Sequence, residues 1–164
     1  MRKIKEIIIH CSASTFGDTS LIRKWHTEPP RNWRDIGYHY VILNGQRSKG
    51  RYNIKDDGLL EAGRELDNDT YIELKEKGAH AKGYNEASIG VCLIGENQFT
   101  VFQFETLIKL IRYYQAMIPE IGIKGHYEYN REKTCPNIDI LELKKLLQNI
   151  SNRAEILMYL GKYT

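Results

Sequence analysis

Lys5-Glu6-Ile7-Ile8-Ile9-His10-Cys11-Ser12-Ala13-Ser14 is the stretch from which the fold can be read. Its β-branched run ends at a cluster of small and polar residues, the signature of a buried strand over Lys5 to His10. Side chains alternate along a strand, so His10 and Cys11 face opposite ways. If His10 serves a site at the strand's end, Cys11 belongs to the core.

Beyond this strand, Leu21, Ile22 and Trp25 stand at helical spacing. Asp18, Thr19 or Ser20 can cap that helix, which ends before Pro29-Pro30. His26 lies in it as a structural or exposed residue. Asp35 to Leu43 turns into a second strand, with Tyr38 and Tyr40 on one face and His39 on the other. Asn44-Gly45 is a turn signal. Arg51 to Ile54 reads as a short returning strand and Asp57-Gly58 as a second turn, making a meander through Leu59 to Arg64. Asp67 to Gly78 reads as a short helix or a lid, and Gly78 to Asn85 as a loop. Ser88 to Gly95 reads as a central strand with Cys92 in the core.

Thr100 and Gln103 fit a capping box at the start of the clearest helix, which runs to Met117. Phe104, Leu107, Ile108, Ile111 and Met117 fall on one of its faces. Ile121 to Lys124 is a short strand that delivers His126. A last helix starts near Asp139, with Glu142 three residues on, and runs to Ile150. Arg153 to Thr164 adds a helical turn or two. Strands and helices thus interleave as an α/β (mixed α+β) architecture, one mixed sheet with helices packed on it.

The 164 residues, 41% of them hydrophobic, suit one domain over 1–164, with a core of about 5–150 and a C-terminal extension at 151–164. No apolar run is long enough for a transmembrane helix, so no membrane insertion is expected. The basic N-terminus lacks the apolar stretch and cleavage site of a signal peptide, which predicts synthesis in the cytoplasm. Cys11, Cys92 and Cys135 are odd in number and widely spaced, which argues against a disulfide framework. A net charge of +3 falls short of a nucleic-acid-binding footprint and is compatible with an acidic polymer substrate.

The chemistry concentrates in Gly125-His126-Tyr127-Glu128-Tyr129-Asn130-Arg131-Glu132-Lys133-Thr134-Cys135-Pro136. Neutral imidazole and thiolate both ligate zinc, which takes three or four protein atoms. His126 and Cys135 are two, and His10 is the candidate third. Singly, such residues are more often a surface histidine and a buried hydrophobic thiol. No C-x-x-C is present, so zinc fingers and ribbons are excluded. His10 and His126 both stand at the carboxyl ends of predicted strands, where sites gather in open sheets.

Six segments in order then carry a resemblance. They are His10-Cys11-Ser12-Ala13, Ile36-Gly37-Tyr38-His39, Glu61-Ala62-Gly63-Arg64, His80 to Asn85, Ser88 to Leu93, and Lys133-Thr134-Cys135-Pro136. Together they resemble the small phage lysozyme-type zinc amidases that cleave N-acetylmuramoyl-L-alanine, a family that includes the animal peptidoglycan recognition proteins. The resemblance implies a single amidase domain with a central sheet of about five strands flanked by helices and a zinc in a surface groove. It implies zinc ligands at His10, His126 and Cys135, catalytic roles for Tyr38 and Lys133, and an active-site place for His80. Arg64 is read as an ordinary surface charge or a carboxylate binder for the stem peptide, with the second favoured. Leu43 to Ile54 looks like an insertion, and Asp67 to Lys77 is longer than the family pattern.

On this reading a zinc with three protein ligands keeps a fourth position for water, and its charge makes that water acidic and polarises a carbonyl. Lys133 is placed to stabilise an oxyanion. Tyr38 either relays a proton or holds the oxyanion, and His80 contacts substrate or transition state. The implied partner is peptidoglycan, acted on at the bacterial cell wall by a monomeric phage or prophage endolysin, with a cytoplasmic recycling amidase or a secreted effector as further readings. A non-catalytic peptidoglycan-binding module is the alternative; relatives of that kind lack the cysteine present here at 135. His126-Tyr127-Glu128 also matches the H-x-E of zinc deaminases, but the P-C-x-x-C pair that chemistry needs is missing.

Overall fold

A computed structural model describes residues 1–67 and 69–149, so the expected helix end at Ile150 and the expectations for 151–164 lie outside the described residues. In chain order the elements are β1 (Arg2–Lys3), β2 (Glu6–Cys11), α1 (Thr19–Thr27), β3 (Tyr40–Asn44), β4 (Asp57–Ala62), β5 (Tyr71–Ile72), β6 (Ser88–Leu93), α2 (Val101–Met117), β7 (Gly122–Gly125) and α3 (Ile140–Asn149). Five strands form the main sheet in the order β4-β3-β6-β2-β7, and β1 pairs with β5 in a small second sheet. Strands β3, β6, β2 and β7 run parallel, while β4 is an antiparallel edge. The four parallel strands therefore deliver their carboxyl ends to one rim.

Alternation along each strand divides the core in two. Ile7, Ile9, Cys11, Ile42, Val91 and Leu93 pack with Phe104, Leu107 and Ile111 of α2 and Leu143 of α3. Val41, Leu43, Cys92 and Ile94 face the other way, toward Ile22 of α1 and Ile36. His10 pairs in register with Cys92 of this second face. Among the described helices, the nine-residue α1 contributes Ile22 to this second face.

The helix ends follow their caps. Asp18 Oδ1 accepts the Leu21 N–H at 2.9 Å, and α1 stops at Thr27, before the two prolines. Thr100 and Gln103 close the capping box reciprocally. Gln103 is wholly buried, and its amide also donates to the Ile42 and Ile94 carbonyls at 3.0 and 2.9 Å. Asp139 Oδ1 accepts from the Glu142 N–H at the start of α3.

Three expectations are corrected. Arg51 to Ile54 is not a strand: Asn53 and Arg47 make local side-chain bonds there, and the returning strand is β4, from Asp57. Asp67 to Gly78 carries β5 and turns rather than a helix, because the Glu76 carboxylate takes up the Asp67 and Glu73 N–H groups. Tyr38 and Tyr40 do not share a face. The N–H groups of Gly63 and Arg64, one after the other, donate to the carbonyls of His39 and Tyr38. That departs from an alternating antiparallel ladder, as at a bulge. Tyr40 reaches the Tyr114 hydroxyl of α2, whereas Tyr38 packs with Ile36, Val41 and Cys92.

Candidate metal centre

Strand β2 carries His10 to the sheet rim, and its neighbour β7 ends at Gly125, so His126 emerges beside it. The His10 and His126 ring centroids are 4.6 Å apart. The chain then returns through a turn in which the Tyr127 N–H donates to the Cys135 carbonyl at 2.9 Å. This closure brings Cys135 Sγ to 4.0 Å from His10 Nδ1. One ligand atom from each of His10, His126 and Cys135 lies within 4.8 Å of the others.

The donor set fits zinc. Zinc–nitrogen and zinc–sulfur bonds of about 2.0–2.3 Å in a tetrahedron separate ligand atoms by about 3.5 Å, which small side-chain adjustments reach from here. Burial, with the neighbouring histidines, holds the His10 imidazole well below its usual pKa. Burial and the nearby Lys133 also lower the His126 pKa. Both rings are therefore neutral with a lone pair to give. The Cys11 N–H donates to Cys135 Sγ at 3.2 Å. The Cys11 thiol and burial raise the Cys135 pKa, so its proton leaves when a cation offsets the thiolate.

The other predicted residues divide. The Tyr38 ring centroid lies 5.1 Å from that of His10, and burial pushes the phenol pKa up, so it is a neutral donor. Tyr38 is backed by α1: the His26 ring is 5.4 Å away, and His26 Nδ1 accepts the Gly37 N–H at 3.0 Å. Lys133 is exposed, near enough to His126 to lower its basicity. His80 is buried, with Nδ1 3.1 Å from His10 Nε2. That position is behind the ligand, which runs against the expected substrate contact. Arg64 is not brought into this group. It is buried, and its Nε and Nη2 both donate to the Ile36 carbonyl. It lines a separate cavity of about 430 Å³ with Arg23, Asp35 and Lys75.

Sequence reasoning passed over two contributors. The Cys11 backbone N–H has no signature in a residue pattern, since every non-proline residue carries one. Ser88, which adjoins His80, stood in a quoted segment and was read only as the start of a strand. Tyr52, Gln46 and Asn44 of the inserted region border a second cavity, of about 420 Å³, with Thr15 and Asn97. Its loop is tied down by Arg47, which pairs with Asp18, Asp56 and Glu61.

Comparison with known proteins places this geometry. The family described as N-acetylmuramoyl-L-alanine amidase matches residues 1–138. The endolysin of Escherichia phage T7 is 34% identical over 145 residues, 82% of this chain and 81% of the relative. The endolysin of Enterobacteria phage K11 is 31% identical over 150 residues, 85% and 84% of the two chains. The same fold is seen in the N-acetylmuramoyl-L-alanine amidase LysC from Clostridium intestinale URNW, at TM-score 0.69 and 24% identity over 90% of this chain and 87% of that one. Drosophila PGRP-LB shares it at TM-score 0.63 and 23% identity, over 83% and 76%.

Proposed function

Because the chain belongs to the N-acetylmuramoyl-L-alanine amidase family, we propose that it hydrolyses the amide between N-acetylmuramic acid and L-alanine in peptidoglycan, as a zinc-dependent endolysin. The convergence of His10, His126 and Cys135 at the rim of β2 and β7 carries this reading. The endolysin relatives support a cell-wall site of action and a phage setting. Among the described residues no helix is long and apolar enough to cross a membrane. The chain acts as a monomer on a polymeric substrate.

His10, through Nδ1, His126 and Cys135 would hold the zinc. Zinc bound there supplies Lewis acidity, which polarises the amide carbonyl and makes a water acidic near neutral pH. Everything else falls to the chain's own side chains. The Lys133 ammonium, anchored two residues before Cys135, stabilises the negative charge that grows on the carbonyl oxygen. The Tyr38 phenol stays protonated and so donates a hydrogen bond at the reacting centre rather than acting as a base. His26 of α1, by accepting the Gly37 N–H, holds it there. The water oxygen bonds to the carbonyl carbon as the carbon–nitrogen bond breaks, leaving a carboxylate on the muramic acid side, and the proton lost by water passes to the leaving L-alanine amine.

The test is a digest of purified peptidoglycan followed by mass spectrometry. Released stem peptides with a new L-alanine amine, abolished by a zinc chelator and restored by zinc, are the expected result. Stem peptides that stay on the glycan with folded, zinc-loaded protein would overturn the reading.

A further inference from the structure

The polar groups behind His10 end on a backbone carbonyl, and a carbonyl can only accept. The Ser88 hydroxyl lies 2.8 Å from the Tyr84 carbonyl and donates its single proton there. Ser88 Oγ is also 3.4 Å from His80 Nε2, a long contact in which it can then only accept. His80 Nε2 therefore carries a proton. Among the described residues the His80 ring meets His10 and Ser88 and bonds no carboxylate that would balance a second proton, so His80 Nδ1 presents a lone pair. His10 Nε2, 3.1 Å away, must donate to it. That leaves His10 Nδ1 deprotonated, and Nδ1 is the atom facing Cys135 Sγ.

We infer that His80 is a positioning residue: with Ser88 and the Tyr84 carbonyl it holds His10 as the Nε2–H tautomer, with Nδ1 aimed at the metal. This rests on the reading that His10, His126 and Cys135 hold zinc. Ligating histidines generally donate their second N–H to a fixed acceptor, and losing that acceptor weakens the metal. Here the acceptor is a neutral imidazole rather than a carboxylate. The two neutral ligand rings and one thiolate thus leave the ion its net positive charge.

The backbone is shaped to hold this ring. A Cβ on Gly90 would lie 2.5 Å from His80 Cδ2, and one on Gly78 would lie 2.7 Å from it. The ring lies in a slot open only because both residues are glycine. Asn85 Oδ1 accepts the N–H groups of both His80 and Ala81, at 2.9 and 2.8 Å, and fixes the loop that presents it. The contact spans 70 positions of sequence, and the ring is too buried to meet a polymer substrate.

The first experiment is nitrogen-15 NMR of the metal-free wild-type protein, which reports which ring nitrogen of His10 carries the proton. A proton on Nε2 is expected, and one on Nδ1 would overturn the role. The second is zinc affinity by chelator competition. His80→Leu, which has no acceptor, is expected to weaken zinc about 10–100-fold, and His80→Gln, which keeps one, to recover most of that loss. Ser88→Ala, a milder change suited to the case in which His80→Leu does not fold, is expected to let the two His10 tautomers mix. Folded His80→Leu protein binding zinc within about twofold of wild type overturns the positioning role alone. A wild-type protein that binds no zinc overturns the metal reading with it.

Discussion

The backbone N–H of Cys11 points at Cys135 Sγ from 3.2 Å, so the residue that follows one candidate metal ligand in sequence braces another in space. Strand β2 thereby contributes His10 from one face and a fixed dipole from its last peptide. Burial of the thiol beside Cys11 raises its pKa in the absence of metal.

Zinc loading is therefore expected to release a proton from Cys135. Below the thiol's raised pKa, zinc affinity should climb about tenfold per pH unit. Calorimetry in buffers of different ionisation enthalpy measures the proton directly. Zinc uptake without proton release would show that Cys135 is not a ligand. Cys135→Ser should lose both zinc and amidase activity.

Lys133 and Tyr38 should separate turnover from metal content. Lys133→Ala is expected to lower turnover by about 10²–10³-fold, with zinc content unchanged. Tyr38→Phe should cost about 10²-fold if the phenol donates to the reacting group. Metal analysis alongside initial rates checks both. Full activity in either variant removes that residue from the mechanism.

The buried histidines should make the metal-free fold acid-sensitive. His39 is fully buried, which lowers its pKa to about 4. Its Nδ1 accepts the Gly90 N–H at 2.8 Å and its Nε2 donates to the Glu76 carbonyl. The unfolded chain takes up this proton near the ordinary 6.5 and the folded chain only near 4. His39 thus contributes full stability above about pH 6.5 and loses it as pH falls toward 4, on the order of 3 kcal/mol. Burial likewise lowers His26 to about 4, in the same direction. Urea midpoints at pH 7 and 4.5 test this, and equal midpoints would refute it.

Gln103 is expected to be among the costliest polar positions outside the site. Gln103→Leu removes half of a capping box, strips the Ile94 carbonyl of its side-chain donor, and leaves the Ile42 carbonyl with the Ile94 N–H alone. A loss of about 2–4 kcal/mol follows, read as a lower urea midpoint with unchanged zinc affinity.

Much of the fold was legible because its rules are local. Alternation in Ile7 to Cys11 sent His10 and Cys11 to opposite faces, and the structure keeps them there. Asp18, Thr100 with Gln103, and Asp139 marked the helix starts through bonds spanning three residues. His10, His126 and Cys135 were legible as candidate ligands from residue type, with strand-end position adding to it for the two histidines, and the structure brings the three together. Tyr38 was misplaced because period-2 counting assumes a regular ladder, and the ladder is irregular opposite Gly63 and Arg64.

The sequence by itself determined which side chains could ligate a metal and which strand ends would carry them, since periodicity, capping and donor chemistry reside in short stretches of chain. Only the tertiary structure decided that Arg64 turns inward to the Ile36 carbonyl and that His80 lies behind His10. Those outcomes depend on strand order and on backbone close enough to exclude a Cβ at Gly90. Both properties arise when distant segments pack, because a hydrogen-bond partner is chosen by position in space and not by neighbours in the chain.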